Sequence, residues 1–341
     1  MISLESNTKI YMFCPANFET GGTELAHQLV DYLITNNKES YIVYYENNKI
    51  IDANIPEGFK KYKIHVKTEI EDNINNIIVL PEVSFSFIKN YNNIQFVFWW
   101  MSVDNFYYKS TFLDYIKFFN LYNSLKLIYS RLKNNQSIFK GFSLKTLKQV
   151  KNNNLHVYQS TYAKLFLLEN GFKEILPLSD YINSEFTTIN KSEIIKENII
   201  LYNPAKGLNI TKKIIRKLPD YNFVPLANLS RNQLTELFVK AKVYIDFGSH
   251  PGKDRMPREA VIHNCCIIVG NKGSAKYFED VPIFNKYKEN ESNIENIVAI
   301  VKYSINNYYS INENFDFYRK RVMKEKIKFH QEINEIFDIN H

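Results

Sequence analysis

The sequence predicts an α/β fold built as two similar halves, each a parallel sheet flanked by helices. Three observations predict it. Short apolar runs recur along the chain, separated by polar or helical segments of the length that parallel crossovers need. The alternation breaks near residue 180 and restarts at Asn198. A strand-loop-helix stretch in the second half, Val243 to Asn264, carries an unusually cationic loop between two ordinary structural signals. At 341 residues the chain is long for one core and comfortable for two.

In the first half, Ile10 to Ala16 is an apolar strand, and Leu25, Leu29, Val30 and Leu33 follow at helical spacing. Between them lie Gly21, Gly22 and Thr23. Glycines there let backbone N–H groups approach a ligand closely, although a tight turn needs them equally. Tyr41 to Tyr45, Tyr62 to Val66, Ile77 to Leu80 and Gln95 to Met101 continue the strand series. The last ends in Ser102, Asp104 and Asn105, polar groups at a strand's carboxyl end that point to a cleft, unless Asp104 and Asn105 cap the next helix.

From Lys109 to Lys151 there are nine Lys or Arg against one acid, Asp114, with aromatics interleaved. This reads as a helical insertion, lying on an anionic membrane surface or packing its aromatics on the sheet. Leu155 to Ser160, a helix through Leu168 stopped by Gly171, and Ile175 to Leu178 complete the half. Asp180 to Asn198 reads as the hinge.

In the second half, Asn198 to Asn203, Phe223 to Leu226, Val243 to Phe247 and Cys265 to Gly270 alternate with helices at Leu208 to Leu218, Arg231 to Lys240 and Met256 to Asn264. Pro257 opens the last of these, since its missing N–H is not needed in a first turn. The loop before it holds His250, Gly252, Lys253, Asp254 and Arg255. Unpaired N–H groups at the helix start, together with these cations, suit a phosphate. Glu259, a turn into the helix, can grip neighbouring ribose hydroxyls or merely complement the helix dipole. Lys272, Gly273 and Ser274 form another glycine loop at a strand end. Glu313 to Phe337 reads as one long amphipathic helix.

Hydrophobic residues at 45% and charged residues at 23% exclude a disordered chain. A net charge of +7 is moderate, where a nucleic-acid binder of this size would concentrate a larger excess on one face, and it favours small anions or a membrane surface. Cys14, Cys265 and Cys266 sit in apolar runs without metal-ligand spacing, as expected of buried thiols in a reducing compartment. Neither a secretory leader nor a spanning helix is expected, which points to the cytoplasm.

Taken together, these residues resemble the nucleotide-sugar glycosyltransferases of the two-domain GT-B fold, and among them the retaining family-four group. The resemblance covers most of the chain. Tyr202-Asn-Pro-Ala-Lys-Gly207 stands where those enzymes bind the donor diphosphate, which gives that role to Lys206. Glu259 stands at their second glutamate, which holds the ribose, and Gly21-Gly22-Thr23 at their first-domain glycine loop. Pro251 replaces their first glutamate, with His250 or Asp254 as the substitute.

The resemblance implies an acceptor-side domain over 1–182 with the insertion at 109–151, a donor domain over 183–312, and a terminal helix over 313–341 crossing back. It implies sugar transfer to a glycan or lipid-linked saccharide in bacterial surface polysaccharide assembly, in the cytoplasm or on the inner face of the membrane. No cofactor is expected, and no metal, since no Asp-x-Asp pair occurs. If the reaction inverts, Asp104 is the candidate base. A nucleotide-sugar epimerase or hydrolase of the same fold, and an inactive sugar-binding protein, are the alternatives.

Overall fold

The computed structural model describes residues 2–119, 142–183 and 195–339, with 124–125, 128–129 and 132–133. Much of the expected insertion and the hinge residues 184–194 fall outside that set. The chain forms two compact units, one of Met1–Gln159, Ala163–Ser179 and His330–His341, the other of Ser160–Tyr162 and Asp180–Phe329.

In the first unit the strands are Ile10–Pro15 (β1), Ser40–Glu46 (β2), Lys49–Ile50 (β3), Ile77–Pro81 (β4), Gln95–Trp100 (β5), Asn154–Tyr158 (β6) and Ile175–Pro177 (β7). They lie in the order β3-β2-β1-β4-β5-β6-β7. Every pairing is parallel except the β2–β3 hairpin. Strand direction of travel reverses between β1 and β4, the place where open α/β sheets bind ligands. Parallel strands covered on both faces must be apolar throughout, and β4 and β5 are buried at every residue.

The polar atoms inside this core are matched. Gln95 exchanges hydrogen bonds with the Ser3 backbone at 2.7 and 2.8 Å. The indole N–H groups of Trp99 and Trp100 donate to Leu178 O at 2.9 Å and to His156 Nδ1 at 3.1 Å. Burial pushes the His156 imidazole down to about 3, so it is a neutral core residue.

Two elements differ from the sequence reading. Tyr62 to Val66 is not a strand. Its backbone meets the sheet where Ile42 N–H donates to His65 O at 2.8 Å and Ile42 O accepts from Lys67 N–H at 3.0 Å, and the His65 ring packs edge-on against Tyr41. Flanked by Lys60, Lys61 and Lys67, it has too little apolar surface to extend the ladder. The terminal helix is also not continuous: Asp316–Met323 and Glu325–Phe337 are separate, and the break at Lys324 leaves Glu325 turned inward and buried.

In the second unit Glu197–Tyr202 (β8), Asn222–Pro225 (β9), Ala241–Asp246 (β10), Cys266–Gly270 (β11) and Lys288–Glu289 (β12) run in the order β12-β11-β10-β8-β9, all parallel. The reversal here lies between β8 and β10. Val243, Tyr244, Ile245, Ile267, Ile268 and Val269 are wholly buried at its centre. The Lys196 ammonium donates to Phe238 O at 3.0 Å, Ala241 O at 2.8 Å and His263 O at 2.5 Å. Those carbonyls lie at the ends of the helices Arg231–Lys240 and Arg255–Ile262, where a cation also meets the negative end of the helix dipole.

The described part of the insertion is aromatic and locally packed. Tyr107 stacks on Phe118 at 3.9 Å, and Phe119 meets Tyr115 at 4.6 Å and Tyr108 at 5.3 Å. Among the described residues no helix is long and apolar enough to cross a membrane.

Candidate functional site

Three loops leave the neighbouring strands β8, β10 and β11 at their carboxyl ends, and the predicted residues of the second unit lie on them or, for Arg255 and Glu259, at the start of the helix Arg255–Ile262 that follows. Two glycines let the loops meet. Gly207 has φ +61°, and a Cβ on it would fall 2.3 Å from Phe247 O. Gly273 has φ +53°, and its Cβ would fall 2.2 Å from the carbonyl oxygens of both Ser249 and His250. No other residue fits at either position without moving the backbone. Ser274 completes the join, its N–H donating to His250 O at 2.8 Å and its hydroxyl to Gly252 O at 2.6 Å.

Across the β8–β10 reversal, Lys206 Nζ lies 2.7 Å from Asp254 Oδ1. The other oxygen of Asp254 lies 2.8 Å from His250 Nδ1, and His250 Nε2 lies 3.2 Å from Asp246 O. Asp246 in turn accepts from the Tyr244 hydroxyl and from Gly248 N–H, both at 2.8 Å. A line of alternating basic and acidic groups therefore runs from the core to the loop.

Burial alone would lower the His250 pKa, but the hydrogen bond with Asp254 and the charges of Asp246 and Asp254 hold it above its ordinary value. Burial likewise works to raise the Asp254 carboxyl, and His250 and Lys206 overcome it and hold it low. Asp246, His250 and Asp254 bring ligand atoms within 4.8 Å of one another, a spacing that could suit a cation. The two Asp246 oxygens accept from Tyr244 and Gly248 and one Asp254 oxygen from Lys206, while the other faces His250 Nδ1 at 2.8 Å.

Two predicted roles change. His250 has no exposed surface, and its imidazole is enclosed by Asp246 and Asp254, so it does not reach a sugar from this position. It supports Asp254, whose side chain keeps 16% of its surface exposed. Lys253 is turned away from the expected phosphate position: its ammonium lies 2.7 Å from Glu325 and 3.4 Å from Asp180. The expectation that it supplies free charge to a ligand overlooked two acids brought in from distant segments.

Arg255 and Glu259 face each other on the helix Arg255–Ile262, Nε to Oε1 at 3.2 Å. Burial raises the Glu259 carboxyl against the opposing pull of Arg255 and Arg258. Lys272 is ion-paired with Glu291. Gly252 contributes the carbonyl that Ser274 binds. Arg258, fully buried beside Asp180 and Glu325, went unnoticed in the sequence. Its partners are 78 and 67 residues away, and no local signal marks it.

In the first unit Gly21 and Gly22 open the helix Gly21–Thr35, and Thr23 is used in a capping box with Thr20. Ser102, not Asp104, caps the helix Val103–Lys109, its hydroxyl accepting from Asn105 N–H at 3.2 Å. Asp104 lies buried in the first turn. Beside them is a second residue the sequence reading missed. Glu82 follows β4 at the β1–β4 reversal and accepts from Met101 N–H at 3.0 Å. Burial pushes its carboxyl up to about 7, against hydrogen bonds from the Met101 and Ser102 backbone and the Asn105 side chain. The available signal was its position directly after a fully apolar strand.

Two doubly wound parallel sheets on one chain define the GT-B fold, the architecture of a large class of glycosyltransferases. No protein-family profile matches this chain and no curated protein matches it in sequence, but solved structures do. It is similar to a glycosyltransferase from Rickettsia africae, at 13% identity over 96% of this chain and 98% of that one, with a TM-score of 0.57. It is similar to HepE of Anabaena in complex with UDP and glucose, at 10% identity over 97% and 99%, TM-score 0.64. The sucrose-phosphate synthase of Thermosynechococcus elongatus matches at 10% identity over 97% and 98%, TM-score 0.63.

Proposed function

We propose that this protein is a glycosyltransferase that binds a nucleotide-sugar donor at the β8–β10 reversal of its second unit. The observation that carries the reading is the Lys206–Asp254 pair at that reversal, 2.7 Å apart beside the start of the helix Arg255–Ile262. In it the carboxylate holds the Lys206 ammonium in place, and the lysine side chain keeps 35% of its surface exposed, so its other hydrogens can meet a diphosphate oxygen. Glycosyl transfer passes through an oxocarbenium-like state in which the leaving diphosphate gains negative charge. A fixed cation and a helix N-terminus stabilise that charge as it develops.

Glu259 would hold the ribose, exchanging part of its contact with Arg255 for the two hydroxyls. Asp254, the one of the two substitutes for the missing first glutamate with reachable surface, would face the sugar. The reaction is metal-independent and retaining in this reading, with the donor diphosphate receiving the acceptor proton. The acceptor is a glycan or lipid-linked saccharide of a surface polysaccharide. The protein works in the cytoplasm, with the basic insertion resting on the anionic inner face of the membrane. The solved neighbour bound to UDP and glucose supports the donor class.

A second reading, an inactive sugar-binding protein, draws on Pro251 standing where the related enzymes carry a glutamate. One screen separates the readings from a chain without this ligand class. A ligand that binds only the native state raises its melting temperature. Thermal unfolding is measured with UDP, GDP, CMP, ADP and dTDP and with their common sugar conjugates. A selective rise with one nucleotide supports the donor site, and release of that nucleotide from its sugar conjugate, with or without EDTA, then separates enzyme from binder. No rise with any of them refutes the nucleotide reading.

A further inference from the structure

Arg258 has no exposed surface, and each of its five N–H donors has a partner. Nε–H donates to Asp254 O at 3.1 Å. The Nη1 hydrogens go to Asp180 Oδ1 at 2.9 Å and Glu325 Oε2 at 2.8 Å, and the Nη2 hydrogens to Lys253 O at 3.0 Å and to Asp180 Oδ2. Lys253 Nζ bridges the same two carboxylates from the other side. Two cations face two anions, so the quartet is neutral.

A buried ionic cluster of this kind contributes little net stability beyond what apolar packing would, because four charges must be desolvated to form it. What it supplies is geometry. One planar guanidinium holds two consecutive loop carbonyls and two carboxylates at fixed angles, which a lysine ammonium on a flexible stem does not reproduce. The loop carbonyl next to the fork belongs to Asp254, the residue whose side chain joins Lys206 to His250.

We propose that Arg258 is the positioning residue of the anion-binding loop: it locks the Lys253 and Asp254 carbonyls against Asp180 and Glu325, and so fixes the Asp254 carboxylate between Lys206 and His250. The ligand in this inference rests on the donor-site reading above; the geometry does not. Arg258 itself touches no substrate.

The test uses the full chain with Arg258→Lys, Lys206→Ala and the double variant. UDP is the probe in titration calorimetry, and the His250 imidazole is titrated by NMR without ligand. Arg258→Lys should lose UDP affinity tenfold or more. The double variant should lose no more than Lys206→Ala alone, because the two residues act through one contact. The His250 midpoint should fall towards its ordinary value as Asp254 leaves it.

Lys196→Met, which removes a half-buried cation at the other end of the same helix, should lower the melting temperature and leave the UDP affinity and the His250 midpoint unchanged. If Arg258→Lys does not fold, Glu325→Gln frees one arm of the fork and should move both readouts in the same direction by less. An unchanged His250 midpoint in the folded variant, or additive losses in the double variant, overturns the inference. If the wild type ignores UDP, the donor reading fails for that nucleotide, and the His250 titration alone still decides whether Arg258 sets the loop.

Discussion

A single methyl group at Gly207 should damage both stability and ligand binding, by amounts that follow from the packing of two loops. In Gly207→Ala the new Cβ would stand 2.3 Å from Phe247 O and 2.4 Å from its carbonyl carbon. Ordinary contact begins near about 3.4 Å, so the Asn203–Gly207 loop must retreat by roughly 1 Å. Alanine in the left-handed region adds about 1–2 kcal/mol, and overpacking about 1–3 kcal/mol. A loss of about 2–5 kcal/mol is therefore expected, lowering the melting temperature by about 4–20 °C for a unit of this size.

Because Lys206 is the preceding residue, the same retreat draws its ammonium from the β10 loop. The displaced ammonium should weaken UDP binding. Differential scanning fluorimetry and calorimetry with UDP measure the two effects. Gly270→Ala is the control: its Cβ would make only ordinary contacts, the nearest at 3.6 Å, and its φ is not positive. Equal melting temperatures and equal UDP affinities for the two variants would refute the claim that close approach of these loops builds the site.

Other consequences follow from individual side chains. The Glu82 carboxyl, held at about 7 against an ordinary 4.5, binds its proton more tightly in the folded state. Its contribution is therefore fully present below about pH 4.5 and is lost as pH rises through 7, by on the order of 3 kcal/mol. Glu82→Gln should flatten the fall in melting temperature between pH 5 and pH 8, and parallel curves for the two proteins would contradict the assignment. Glu259→Ala should weaken nucleotide binding by tenfold or more, while a nucleoside lacking ribose hydroxyls should bind both proteins alike; unchanged affinity would return Glu259 to its contact with Arg255. If the basic insertion rests on a membrane, the protein should co-sediment with phosphatidylserine vesicles at low salt and be released at high salt. Indifference to the vesicles would leave only the packed reading.

The sheets were legible because their signal is local. Runs such as Ile77 to Leu80 and Cys265 to Gly270 are apolar throughout, which only strands buried on both faces require. The glycine loops were legible for the same reason, since a carboxyl strand end followed by Gly and a helix lies within a dozen residues. What escaped was set by contacts across long stretches of chain. Lys253 looked like a free cation until Asp180 and Glu325 came beside it, and Arg258, whose acidic partners lie 78 and 67 residues away, carried no local signal. Helical periodicity over Glu313 to Phe337 could not show the break at Lys324, where Glu325 turns inward. Tyr62 to Val66 had the alternation of a strand, but the neighbouring lysines left it only a bridge to Ile42.

The central claim, that Lys206 receives a nucleotide diphosphate at the β8–β10 reversal, is tested most directly by titrating UDP into the wild-type protein and into Lys206→Ala in a calorimeter at constant salt. Saturable binding by the wild type, weakened at least tenfold in the variant while its melting temperature without ligand stays close, is the predicted result. Saturable binding of equal strength to both proteins would contradict it and move the diphosphate site elsewhere in the molecule.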